Sequence, residues 1–166
     1  DAGVRRVVFT SSGAVYGEQA EQPVREEHRP NPQSPYAVSK LAAEYYVRTI
    51  GALWGIETVI LRVFNAYGPG QRLPPSHPPV VPRFLQQGQR GGSLVIFGGG
   101  GQTRDFVYVD DVVEALIAAS DAADVDRRII NVGSGRETSI NQLAALVAEA
   151  VGRDVEVLHS PAESGG

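Results

Sequence analysis

Two hydrophobic periods alternate along this chain. Arg6-Val7-Val8-Phe9-Thr10 is a short apolar run that predicts a buried strand ending at Ser11-Ser12-Gly13-Ala14. From Tyr36 to about Leu53 the pattern is helical, with Ser34 as N-cap, Pro35 at the first helical position and no further proline. Glu57 to Val63 reads as a strand rich in β-branched residues, and the proline-dense stretch Pro69 to Pro82 as a loop. A short helix is expected over Val81 to Gln89 and a strand over Leu94 to Phe97. Gly98-Gly99-Gly100-Gly101 should then form a hairpin turn, leading to a strand from Asp105 to Val109. A helix should follow from Asp111 to about Ala122, with Asp111 and Glu114 spaced as a capping pair. Arg128 to Val132 is the next strand. Ser139 to Val151 reads as an amphipathic helix with Ser139 and Gln142 as capping box and Ile140, Leu143, Ala144, Val147 and Val151 on one face. Val155 to Leu158 is the last expected strand. Strands alternating with helices imply an α/β fold with parallel pairing.

Composition narrows the function classes. At 166 residues the chain is long enough to bury a core. A net charge of −4 with scattered basic residues argues against a nucleic-acid surface. Without cysteine there are no disulfides or thiolate metal sites, which fits a cytoplasmic enzyme. No apolar run approaches the roughly 20 residues of a membrane span.

Candidate chemistry centres on Ser34-Pro35-Tyr36-Ala37-Val38-Ser39-Lys40. Four residues apart on a helix, Tyr36 and Lys40 share a face, and an ammonium beside a phenol favours the phenolate. Ser12 stands at the carboxyl end of a predicted strand, where the crevice of a parallel sheet opens. In this order the chain resembles the extended short-chain dehydrogenase/reductase family, which epimerises, dehydrates or reduces nucleotide sugars with a bound nicotinamide cofactor. The resemblance continues through Leu61-Arg62-Val63-Phe64-Asn65-Ala66-Tyr67-Gly68-Pro69-Gly70 and Val81-Pro82-Arg83-Phe84. It extends over Gln102-Thr103-Arg104-Asp105-Phe106-Val107-Tyr108-Val109-Asp110-Asp111 and Ile130-Asn131-Val132-Gly133-Ser134-Gly135.

The resemblance implies the C-terminal part of a Rossmann-like doubly wound parallel sheet plus part of a small α/β substrate-binding region. Residues 1–68 would be the second half of an NAD-binding domain. Residues 69–166 would mostly bind the nucleotide sugar, with a returning strand and helix at about 105–135. Ser12, Tyr36 and Lys40 would be catalytic, Tyr36 and Lys40 would also meet NAD, and Asn65, Val81 and Arg104 would meet the substrate, a UDP-hexose. The complete enzyme would be a homodimer. The family's opening strand and glycine-rich turn have no counterpart before Val7, and Asp1-Ala2-Gly3 reads as the tail of a helix. The expectation is an internal piece of a longer enzyme.

Within the family, dehydratases carry an Asp-Glu pair directly after the catalytic Thr or Ser, and decarboxylating relatives also carry an acid there. Here Gly13 and Ala14 occupy those places and transfer no protons, which leaves 4-epimerases and 4-keto reductases. A reading of another class stays open: an inactive truncated fragment or a nucleotide-sugar binding module.

Other features have plainer readings. Gly133-Ser134-Gly135 lacks a third glycine, since Thr138 stands in its place, and reads as a structural turn in the substrate region. Asp110-Asp111 reads as helix capping rather than a metal site. His28, His77 and His159 lack ligand spacing and read as surface or loop residues. Glu26-Glu27 reads as solvated charge. Where relatives carry an arginine near the last Pro-Ala motif, this chain has Glu163. Arg104 in a loop-strand junction would by default be exposed and inert, but arginine makes bidentate contacts to phosphate. For Asn65 a loop-capping role is the alternative.

Overall fold

A computed structural model describes residues 3–76 and 78–161. The residues divide into two compact units, Asp1–Ala66 with Val107–Gly135, and Tyr67–Phe106 with Arg136–Gly166. The chain crosses between them within two short strands, β3 (Asn65–Tyr67) and β6 (Phe106–Tyr108), and again after Gly135. The expected helix tail at Asp1-Ala2, His77 and Glu163 lie outside the described residues.

The first unit is built on a three-stranded parallel sheet ordered β1 (Arg6–Ser12), β2 (Glu57–Val63), β7 (Arg128–Val132). Helix α1 (Pro35–Trp54) links β1 to β2, and α3 (Val109–Asp121) precedes β7. Ser34 caps α1 by accepting the Ala37 N–H at 3.2 Å, Pro35 opens it, and Gly55 ends it at φ 66°. Successive residues of β2 serve opposite faces. Val59 and Leu61 pack with Val107, Val112, Ala119 and Val132 on the α3 side, whereas Arg62 bonds Glu44 of α1 on the other. Helices therefore cover both faces of the sheet, the doubly wound arrangement expected from the sequence. At Gly51 a Cβ would run into the Thr58 side chain, so α1 lies against β2 only because this residue has none. Arg6 donates to the carbonyls of Ala119 at 3.0 Å and Ser120 at 2.8 Å and so closes the end of α3.

In the second unit, α2 (Val80–Gln89) packs on α4 (Ile140–Val151). Their facing residues Val81, Phe84, Ile140, Leu143, Ala144 and Val147 form a core with Leu94 and Ile96 of β4 (Leu94–Phe97). Strand β4 pairs in parallel with β9 (Val157–Ser160), and β5 (Thr103–Arg104) pairs antiparallel with β8 (Thr138–Ser139). The capping box is present: Ser139 accepts the Gln142 N–H at 3.1 Å, and Gln142 accepts the Ser139 N–H at 2.8 Å.

The structure corrects several expectations. Helix α3 starts at Val109 directly after β6, its N-cap is Tyr108, and no side chain caps it. Asp110 and Asp111 lie in its first turn, where negative charge suits the helix dipole, so Asp111 and Glu114 are not a capping pair. The last strand begins at Val157 rather than Val155, because Leu94 pairs with Val157 while Val155 packs against the core. Gly98–Gly101 is not a hairpin turn, since β4 and β5 pair with different partners, β9 and β8. Gly100, at φ 71°, lies against Asn141, whose N–H donates to the Gly100 carbonyl at 3.0 Å. His159 belongs to β9, where its Nδ1 is 3.0 Å from the Gly98 carbonyl.

Candidate functional site

The carboxyl end of β1 and the first turns of α1 carry the candidate chemistry. Ser12 is the last residue of β1 and the N-cap of a 3-10 turn over Gly13–Tyr16, where its Oγ accepts the Ala14 N–H at 3.2 Å. Tyr36 is the second residue of α1 and is 55% exposed, so its phenol is open to a ligand. Lys40, one turn on, donates from Nζ to the Thr10 carbonyl at 3.0 Å. The ammonium lies 5.8 Å from the Tyr36 ring centre and 5.4 Å from that of Phe9. Lys40 thus ties α1 to the strand two residues before Ser12, with Tyr36 within reach of its charge. Helix α1 packs on both β1 and the 3-10 turn.

A buried polar rung lies beneath this strand end. Ser11, Arg62 and Asn131 stand in register across β1, β2 and β7 and project from the same face. Glu44 of α1 receives Arg62 Nε at 3.0 Å, Arg62 Nη2 at 2.8 Å and the Ser11 hydroxyl at 2.5 Å. Both charged side chains are 3% exposed. The Tyr16 ring covers the guanidinium at 4.6 Å, and its hydroxyl donates to Asn131 Oδ1 at 2.7 Å. Burial pushes the Tyr16 phenol above its ordinary range, against the pull of Arg62 and Asn131. Burial works to lower Arg62, but its bonds to Glu44 and Tyr16 outweigh that and leave it raised.

Glu26, expected to be solvated, accepts the Asn131 N–H at 2.8 Å and so ties the loop before α1 to β7. Sequence reasoning passed over Ser11, Tyr16, Glu44 and Arg62. The available signal was Arg62 itself, a charge inside the apolar run Val59-Ile60-Leu61.

Gly13 faces Phe64. A Cβ there would lie 3.0 Å from two atoms of that ring, which is itself stacked on Tyr16 at 6.5 Å. Asn65 follows directly and is exposed at the start of β3.

The remaining candidates belong to the second unit. Val81 is 8% exposed and its side chain is part of the core, so it offers a ligand only its main chain in the first turn of α2. Arg104 is exposed on β5, opposite Thr138, and donates from Nη1 to the Thr103 carbonyl at 2.8 Å. Arg83 of α2 lies 5.2 Å from the Phe84 ring centre and 5.5 Å from that of Phe97, and burial lowers it from its usual range. Gly133–Gly135 is a turn of the first unit that leads to β8, not into a helix. Among the described residues no three potential ligands cluster to hold a metal, and no helix is long and apolar enough to cross a membrane.

The model of the NAD dependent epimerase/dehydratase family matches residues 1–133. A putative UDP-glucose 4-epimerase of Methanocaldococcus jannaschii is 40% identical over 98% of this chain and 52% of its own length. Among solved structures, the UDP-N-acetylglucosamine 4-epimerase of Methanobrevibacter ruminantium, in complex with UDP-N-acetylmuramic acid, superposes with a TM-score of 0.92. It is 34% identical over 98% of this chain and 52% of that one. The UDP-glucose 4-epimerase of Thermus thermophilus, in complex with NAD, gives a TM-score of 0.84 at 38% identity, over 94% of this chain and 51% of that one. Other relatives are named as a decarboxylase and as dehydratases. The chain spans about half the length of the curated relatives it matches.

Proposed function

Because this chain belongs to the NAD dependent epimerase/dehydratase family, we propose that it carries the catalytic strand end and part of the sugar-nucleotide site of a UDP-hexose 4-epimerase. The observation that carries the choice against dehydration and decarboxylation is Gly13. An acid directly after Ser12 would serve water loss or decarboxylation, and Phe64 fills the space such a side chain needs.

NAD is the family's cofactor and supplies the redox chemistry, accepting and returning a hydride. Tyr36 takes the proton from the sugar C4 hydroxyl as that carbon is oxidised, and gives it back when the ketone is reduced on its other face. Ser12 hydrogen-bonds the same oxygen. Lys40, held by the Thr10 carbonyl and placed beside the Tyr36 ring, would hold the nicotinamide ribose. By the family's pattern, Arg104, the Asn65 amide and the Val81 main chain are the proposed contacts to the substrate. The complete enzyme is cytoplasmic and dimeric in this reading.

The test uses the whole protein with UDP-glucose, UDP-galactose and their N-acetyl forms, with products identified by NMR. Interconversion without net use of NAD⁺ is expected. A 4-keto-6-deoxy product would make it a dehydratase, and stoichiometric use of NAD(P)H would make it a reductase. Tyr36→Phe should lower kcat by about 10² to 10⁴ with much less effect on substrate binding. Arg104→Ala should chiefly raise KM.

A further inference from the structure

The mechanism above gives no task to the buried rung beside Ser12. An ion pair with both side chains at 3% exposure is expensive to desolvate, and well-packed apolar residues often serve stability as well or better. Stability alone therefore does not account for Glu44 and Arg62. What methionine or leucine lacks is direction. Glu44 stands one turn beyond Lys40 and two beyond Tyr36, and its carboxylate takes the hydroxyl of the residue immediately before Ser12. Arg62 orients that carboxylate with two donors and is itself held under Tyr16, a residue of the turn that Ser12 caps.

We infer that Glu44, Arg62 and Ser11 are positioning residues, a clamp that fixes the end of β1 carrying Ser12 to the helix carrying Tyr36 and Lys40. The inference rests on the catalytic reading of those three residues and adds what holds them in place. Lys40 to Thr10 is one tie between the two elements, and Glu44 to Ser11 is a second on the buried side. With two ties, both the distance and the angle between strand and helix are set, and misplacement by an ångström is enough to slow a proton transfer.

The test compares Ser11→Ala, and the paired replacement E44M/R62M, with the wild-type whole protein. Each is read in three ways: thermal unfolding, the separate effects on kcat and KM for UDP-hexose, and hydrogen exchange at the Ala14 amide. That amide is bonded to Ser12 Oγ at 3.2 Å and so reports where the hydroxyl is, whatever the activity. Folding and KM should change little, while kcat falls about tenfold in Ser11→Ala and about a hundredfold in the pair. Ala14 exchange should quicken in both. Unchanged kcat in a folded variant, or unchanged Ala14 exchange, overturns the inference. Should the pair fail to fold, Ser11→Ala, which leaves the ion pair intact, decides. Should the wild-type protein epimerise nothing, the catalytic reading fails, and Ala14 exchange alone decides for or against the clamp.

Discussion

A Cβ at Gly13 would lie 3.0 Å from the Phe64 ring, and Phe64 is backed by Tyr16. Room at this one position separates the proposed chemistry from that of the family's dehydratases. Gly13→Asp should cost about 1–3 kcal/mol by overpacking, seen as a lower urea midpoint at unchanged slope. It should confer no dehydratase activity, because the new carboxyl is forced off its ideal placement. Unchanged stability would show that Phe64 moves aside freely. At this scale the sequence was readable where geometry follows from spacing alone. Tyr36 and Lys40 share a helix face by arithmetic, and the ammonium lies 5.8 Å from the ring. Glu44 and Arg62 were not readable as a pair, since a helix and a strand far apart in sequence meet only through the fold. Glu26 misled for the same reason: a carboxylate beside another acid reads as solvated, yet it bonds the Asn131 amide of β7.

Among the elements, those with local causes were legible. Helix α4 has a capping box and a regular apolar face, and both are present. Ser139→Ala should therefore destabilise the second unit by about 1 kcal/mol, measured by chemical denaturation. A negligible loss would mean that α4 is held by its packing on α2 alone. Elements set by distant partners were less legible. Strand β9 takes its start from β4 rather than from its own apolar residues. The glycine run after β4 has the composition of a hairpin turn, but strand pairing with β8 and β9 takes the two flanking strands apart. The start of α3 was misplaced because the acidic pair suggested a cap, whereas the helix begins on backbone geometry at Tyr108 and keeps the acids for its first turn.

For the whole molecule, two units that each enclose a core account for the described residues. Neither glycine-rich segment opens directly into a helix: Gly98–Gly101 leads to β5 and Gly133–Gly135 to β8. A dinucleotide pyrophosphate needs such a junction, where free N–H groups and the helix dipole meet its charge. The 166-residue chain by itself should accordingly bind NAD⁺ more weakly than about 0.1 mM by calorimetric titration. Micromolar affinity would mean that Tyr36, Lys40 and the strand ends suffice without that junction. The rung across the first sheet also bears on how the strands find their register. A parallel sheet of Val, Ile and Leu punishes a slip of one residue, which turns every side chain over, but is nearly blind to a slip of two. Arg62 adds a penalty on such a slip to the packing of α1 and α3 on the sheet. Shifted by two, β1 would set Phe9 or Gly13 beside the guanidinium in place of Ser11, and Glu44 would lose the hydroxyl it receives in the native register. One charged residue in an oily strand thus raises the cost of a misaligned sheet above what the loss of apolar packing alone would set.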